Sequence, residues 1–277
     1  MCGMLPPIAS NFVAGESAES ALEHVADING RGVGGILNLL GEHYTEPAAA
    51  DADADAYVEM IQSVQTQGLD ASISVKPSQI GLAVGEERFR ANLDRIVQNT
   101  DGFVWIDMED HSTTDVTLDA FEHHALETDG EVGVCTQANL RRTPDDIVRL
   151  ADLPGKMRLV KGAYDEPGEL AYQEKTSVDR AFRECLELAF REFDGTVAVG
   201  SHDPAMIDHA RALHEEYGTD YEIQMLMGVR EDAQYDLSDG MPVYQYIPYG
   251  SKWLSYFYRR VRERKANALF ALRAILS

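Results

Sequence analysis

A single-domain (β/α)8 barrel is the fold class the sequence predicts, on three observations. Short apolar runs alternate eight times with helical segments. The 277 residues are an ordinary length for one such barrel. No repeat or low-complexity linker divides the chain. Residues 1–34 therefore read as a lead with one helix, and 35–277 as the barrel. An open doubly wound sheet is the alternative.

Each unit has its own signal. Ser17 caps a helix to Asn29, and Gly35–Leu40 is the first strand, followed by a helix within 52–67. Ala71–Val75 precedes a helix over 86–98, and Phe103–Asp107 one from 115. Glu131–Cys135 leads to Thr143-Pro144, an N-cap and first-turn proline. Lys156–Val160 is followed by a long helix to Phe193, and Thr196–Gly200 by one opening at Asp203-Pro204. Tyr221–Met225 precedes a short helix from about 230, and Met241–Tyr246 the closing helix. The strands are almost wholly apolar, as parallel strands covered by helices must be.

Composition excludes several classes of function. The net charge of −23 argues against a nucleic-acid partner. Acids are spread over the whole chain, a pattern expected of a protein kept soluble in high salt, hence a halophilic source. No apolar run reaches membrane-span length, and Met1–Ala9 has no signal-peptide pattern. Three cysteines without a CxxC give neither a disulfide framework nor a zinc site, so the compartment reads as cytoplasmic. The eight histidines form no HxH or HExxH, so no metal is expected, and His123-His124 reads as a solvated helix face. Gly32-Val-Gly-Gly35 precedes a strand, the wrong context for a dinucleotide fingerprint, and no GxSxG elbow is present.

A barrel places its chemistry at the C-terminal ends of its strands. Those positions hold Lys76, Asp107-Met108-Glu109, Gln137 after strand four, Lys161-Gly162-Ala163-Tyr164, Ser201-His202, Gln224 and Tyr246. Arg158 lies within strand five and is read as pointing the same way as Lys161. Singly, each has a structural explanation: Lys76 on the surface, Asp107 or His202 capping a turn, Arg158 and Lys161 in ion pairs. Together they read as the lining of a polar-ligand site. In the closing helix, Tyr256, Arg259, Arg260 and Glu263 share one face by helical spacing. That face is either solvated, with an Arg259–Glu263 pair, or a lid whose arginines hold a carboxylate.

From Phe12 to Leu276 the chain resembles the proline dehydrogenase family in its monofunctional bacterial and archaeal form. The resemblance rests on Ile36–Glu42, Ile73–Lys76, Phe103–Asp110, Arg158–Tyr164, Gln224–Val229, Tyr246–Gly250 and Tyr256–Glu263. It implies FAD bound noncovalently at the barrel mouth, and oxidation of L-proline to Δ1-pyrroline-5-carboxylate by hydride transfer from C5. By resemblance, Asp107 and Arg158 are catalytic. Lys76, Tyr164, Tyr246, Tyr256, Arg259, Arg260 and Glu263 bind substrate. Met108, Gln137, Arg158, Lys161, Gly162, Ala163, Ser201, His202 and Gln224 contact FAD. Departures from the family pattern are Pro77, Asn139, Ser201 and a short lead. A quinone or other electron acceptor, peripheral contact with the inner face of the membrane and a downstream pyrroline-5-carboxylate dehydrogenase are the further partners implied. The alternatives are a flavin barrel for another cyclic amino acid such as hydroxyproline, and a Schiff-base barrel using Lys76 or Lys161.

Overall fold

The computed structural model describes residues 10–99, 102–254 and 256. Eight parallel strands close into a barrel in chain order, β1 to β8. They are β1 Gly34–Leu39, β2 Ala71–Val75, β3 Val104–Ile106, β4 Val132–Gln137, β5 Lys156–Val160, β6 Thr196–Gly200, β7 Tyr221–Leu226 and β8 Val243–Tyr249. Helix α1 (Ala18–Asn29) precedes them. The intervening helices are α2 Pro47–Gln67, α3 Glu86–Gln98, α4 Thr114–Glu127, α5 Thr143–Leu150, α6 Lys175–Glu192, α7 Pro204–Tyr217 and α8 Glu231–Ser238.

Local chemistry explains the boundaries. Helix α2 begins five residues earlier than sequence periodicity indicates, because Pro47 occupies the first turn, where its missing N–H costs nothing. It ends at Gly68, whose φ of +64° suits a residue without Cβ. Asp203 caps α7 by accepting from the Ala205 N–H, with Pro204 following. Strand β4 extends to Gln137, so Gln137 lies on the strand rather than after it. Strand β8 runs Val243–Tyr249, displaced toward the C-terminus from the expected Met241–Tyr246. Its pairing with β1, from Gly34↔Tyr244 to Leu39↔Tyr249, draws it through Pro248. His124 of α4 is buried, not solvated: its Nε2 lies 3.2 Å from Asp94 Oδ1, while His123 remains exposed.

The main core lies between strands and helices, and residues Ala21, Leu22, Val25 and Ile28 of α1 share it. Each fully buried large side chain there contributes about 1.5–3 kcal/mol. Helix α1 is also tied in by polar contacts. His24 Nε2 lies 2.6 Å from Gln245 Oε1, and Gln245 Nε2 donates to Gln234 Oε1 of α8 at 2.9 Å.

The barrel interior is packed separately. Ile36, Trp105 and Ala198 form its layer, with Phe103, Tyr244 and Tyr246 against them. Gly133 makes room for the indole: a Cβ there would stand 2.6 Å from the Trp105 ring. Arg158 lies over that ring, its guanidinium carbon 4.4 Å from the centroid. Trp105 thus forms the shelf on which the mouth of the barrel is built. Among the described residues, no helix is long and apolar enough to cross a membrane.

Candidate active site

Asp107 follows the last residue of β3, and its N–H still donates to Val75 O of β2 at 2.9 Å. This contact aims the side chain into the barrel. Four donors from three strands and one strand end meet the carboxylate. Ser74 Oγ and Arg158 Nη1 donate to Oδ1 at 2.6 and 2.8 Å. Lys76 Nζ and the Tyr246 hydroxyl donate to Oδ2, each at 2.6 Å. Lys76 and Asp107 therefore form an ion pair at the barrel mouth.

The electrostatics follow from that geometry. Burial alone would raise the Asp107 pKa, but Lys76 and Arg158 outweigh it and hold the carboxyl well below its usual range. Burial alone would lower Lys76, but the Asp107 carboxylate overrides it and keeps the ammonium protonated beyond the ordinary lysine range. Tyr246 is pushed well above its usual value by burial, then by the charge of Asp107, so it remains a neutral donor. Burial also raises Tyr164.

Above this cluster lies a cavity of about 450 Å³. Lys76, Asp107, Met108, Arg158, Lys161, Gly162, Ala163, Tyr164, His202, Gln224, Tyr246 and Tyr256 all line it, as expected. Gln137 and Ser201 do not line it. Gln137 is buried behind it, donating from Nε2 to Glu109 O at 2.8 Å and accepting from the Ala163 N–H at 3.4 Å. The Ser201 hydroxyl accepts from the Asp203 N–H at 3.2 Å. Arg259, Arg260 and Glu263 lie outside the described residues.

Arg158 and Lys161 line the same cavity but do not act as a matched pair along one strand. Their odd spacing puts them on different sides, and β5 ends between them. Arg158 turns inward to Asp107, whereas Lys161 Nζ reaches Asp179 Oδ1 of α6 at 2.5 Å and Asp203 Oδ2 at 3.4 Å. The next residue, Gly162, has a φ of +108°, and a Cβ there would stand 2.1 Å from Asn139 Oδ1. His202 Nε2 accepts from the Leu226 N–H at 3.2 Å, and Arg230 donates to its carbonyl. Tyr256 packs with Phe12, Val13 and Leu40, which sets its ring over the cavity.

Some residues of the site escape a reading of strand termini. Ser74 and Trp105 stand two residues before Lys76 and Asp107, on the same inward face, and support the cluster from beneath the cavity. Asn38 and Cys135 line the cavity from β1 and β4. Inward parity counted back from each strand end would have found all four. Asn38 was visible besides as the one polar side chain in Gly34–Leu39.

The donor set matches what an anionic or electron-accepting ligand requires. Arg158 spends Nη1 on Asp107, but its buried Nε and Nη2 have no hydrogen-bond partner. Gln224 donates to Glu222, and its buried Oε1 has no partner. Buried polar atoms left without a partner beside a cavity call for an explanation, and a bound ligand is one.

The family model for proline dehydrogenase matches residues 21–273. The proline dehydrogenase of Deinococcus radiodurans is 37% identical over 280 residues, covering 97% of this chain and 90% of that protein. Proline dehydrogenase 1 of Bacillus subtilis strain 168 is 35% identical over 275 residues, with the same two coverages. Among solved structures, proline utilization A (PutA) of Bdellovibrio bacteriovorus superposes with a TM-score of 0.84 at 21% identity. That likeness covers 91% of this chain and 32% of that one, and it shows the shared fold. PutA of Corynebacterium freiburgense superposes with a TM-score of 0.81 at 20% identity, over 94% of this chain and 31% of that one. Matched by its family model over most of its length and by close relatives over nearly all of it, this chain belongs to the proline dehydrogenase family.

Proposed function

We propose that this protein oxidises L-proline to Δ1-pyrroline-5-carboxylate with FAD as cofactor, and that residues 35–277 are the catalytic unit with 1–34 as its lead. The observation that carries this is Arg158, one arm fixed on Asp107 and two guanidinium nitrogens, Nε and Nη2, unpartnered beside the cavity, within a family of proline dehydrogenases. When bound, FAD supplies the two-electron acceptor for the hydride leaving proline C5. Met108, Arg158, Lys161, Gly162, Ala163, His202 and Gln224 would hold it, with Gln137 and Ser201 bracing the loops behind.

The chain's own residues position and polarise. Asp107 accepts four hydrogen bonds and holds its pKa low, so it is a weak base. Its role is to hold the substrate amine electrostatically, and the amine proton leaves by another route. The unspent N–H groups of Arg158 supply positive potential where negative charge grows during the transfer. Tyr164, Tyr246 and Tyr256 wall the substrate, and Lys76 holds Asp107 from below. Arg259 and Arg260, oriented by Glu263, clamp the carboxylate in the reading that their sequence motif supports. Electrons then pass to a quinone or another acceptor, with peripheral contact at the inner face of the membrane. A pyrroline-5-carboxylate dehydrogenase consumes the product.

A Schiff-base lysine is not favoured. That chemistry needs a neutral amine, and Asp107 keeps Lys76 protonated while Lys161 is engaged by Asp179.

The test is an anaerobic visible spectrum of the purified protein before and after adding L-proline. The expected result is a flavin spectrum that bleaches. A flavin that bleaches only with hydroxyproline or another cyclic amine changes the substrate. A colourless protein that gains no reducible flavin on adding FAD overturns the reading.

A further inference from the structure

Glu109 is a buried acid, 1% exposed, that the proposed chemistry does not use. It lies two residues beyond Asp107, and its partner Ser78 lies two residues beyond Lys76. Glu109 Oε2 accepts from the Ser78 N–H and Oε1 from the Ser78 hydroxyl, both at 2.6 Å. This bracket runs alongside the Lys76–Asp107 pair after the β2–β3 ladder has ended at Val75↔Ile106. It keeps the two strand ends in step where backbone pairing no longer does. Ser78 in turn holds the loop after β1, since its hydroxyl accepts from the His43 N–H at 2.9 Å and its carbonyl from the Tyr44 N–H at 3.1 Å.

Charge gives the bracket a second part. Two cations, Lys76 and Arg158, meet one carboxylate at Asp107, so the cluster alone carries a net charge of plus one. Glu109 supplies the compensating negative charge from behind.

We infer that Glu109 is a positioning residue for the proline site: through Ser78 it holds Lys76 on Asp107, and its charge offsets the excess positive charge of the Lys76, Arg158 and Asp107 cluster. Burial lowers Lys76 and Asp107 raises it, with Glu109 adding a smaller push upward; on Tyr164 burial acts first and Glu109 adds to the rise. Gln at this position keeps the shape and one acceptor but removes the charge, so Glu109→Gln separates the charge from the packing.

The substrate part of this inference rests on the function proposed above; the lysine part does not. Two variants of the full chain, Glu109→Gln and Ser78→Ala, compared with wild type, separate them. Acylation of Lys76 by acetic anhydride near pH 9, read by peptide mass spectrometry, reports the neutral amine directly and needs no cofactor. Glu109→Gln is expected to acylate severalfold faster than wild type, and Ser78→Ala, which keeps the charge and the backbone N–H contact, by a smaller factor. In the FAD-loaded protein, both variants are expected to raise KM for L-proline severalfold, with kcat changing less. Unchanged Lys76 reactivity in folded Glu109→Gln overturns the charge role, and wild-type KM in Ser78→Ala overturns the positioning role. If Glu109→Gln does not fold, Ser78→Ala alone decides: a raised KM with flavin retained supports the inference. A wild-type protein whose flavin proline fails to reduce sinks the proposed function instead and leaves the acylation result standing.

Discussion

The barrel carries a lysine–carboxylate contact at each end, and the two have different surroundings. At the mouth, Lys76 and Asp107 meet at 2.6 Å, joined by Arg158, Ser74 and Tyr246. At the foot, Lys156 and Glu222 also meet at 2.6 Å. There the ammonium sits 5.0 Å from the Phe103 centroid and 5.6 Å from that of Tyr244. At Asp107 the contacts with Lys76 and Arg158 outweigh burial, and its pKa falls. Acids gather at the foot: burial raises Asp70, Glu222 raises it further, and Tyr244 is pushed up to about 12 by burial and these two acids. One contact type therefore gives an end suited to an anion and an end that repels one. Its meaning comes from the groups beside it and not from the contact itself.

The comparison breaks most clearly at the carboxylates. Asp107→Ala strands Lys76 and Arg158, and removing one partner of a buried pair costs about 3–5 kcal/mol. It should also cut kcat/KM for L-proline by about 100-fold or more, the scale of losing a preorganised charge. Chemical denaturation and steady-state kinetics check both numbers. Lys156→Met strands Glu222 at the foot and should cost about 1–3 kcal/mol, with kcat/KM unchanged. A large activity loss in Lys156→Met would erase the functional distinction between the two ends.

A pH series sharpens the same contrast. Asp107 has a lowered pKa, so its stabilisation is full above the ordinary carboxylate value of 3.8 and fades as pH falls through the folded value. Lys76 has a raised pKa, so its contribution is full below 10.5 and is lost as pH rises through the folded value. The stability difference between wild type and Lys76→Met should therefore stay flat from about pH 5 to pH 9. A slope inside that window, measured by urea melts, would show that the pair titrates there. The smallest expected effect is global. With a net charge of −23, the melting temperature should rise with KCl as self-repulsion is screened, a test of the halophilic reading. Highest stability at low salt would count against it.

Much of this was legible in the residues. Short apolar runs with turn signals mark all eight strands, because a strand covered on both faces has little freedom to be polar. The mouth residues were legible because a polar group such as Lys76 or Asp107 at the end of an apolar strand breaks the pattern. Strand β8 was harder. Pro242 and Pro248 blur its limits, and its register is set by β1, more than 200 residues away in sequence. Ser74 and Trp105 were hidden for a different reason: a small hydroxyl and an aromatic look like ordinary strand residues until a partner is present. That Arg158 and Lys161 take different sides was legible in their odd spacing, but that Lys161 turns to Asp179 was out of reach, since its partner comes from a separate helix. His124 looked solvated because its partner, Asp94, comes from another helix.

The β1–β8 seam joins the first strand to the last, with six residue pairs in register. Such contacts form only after a long loop has closed, so they rank among the costliest in conformational entropy. Tyr246 lies on β8 and reaches Asp107 across the interior. The Asp107 cluster thus draws on β2, β5 and β8 as well as the end of β3. A chain still emerging from the ribosome, or one cut before residue 243, lacks the phenol that completes the cluster. The cluster is therefore incomplete until β8 is in place: closing the barrel and completing the cluster are one event.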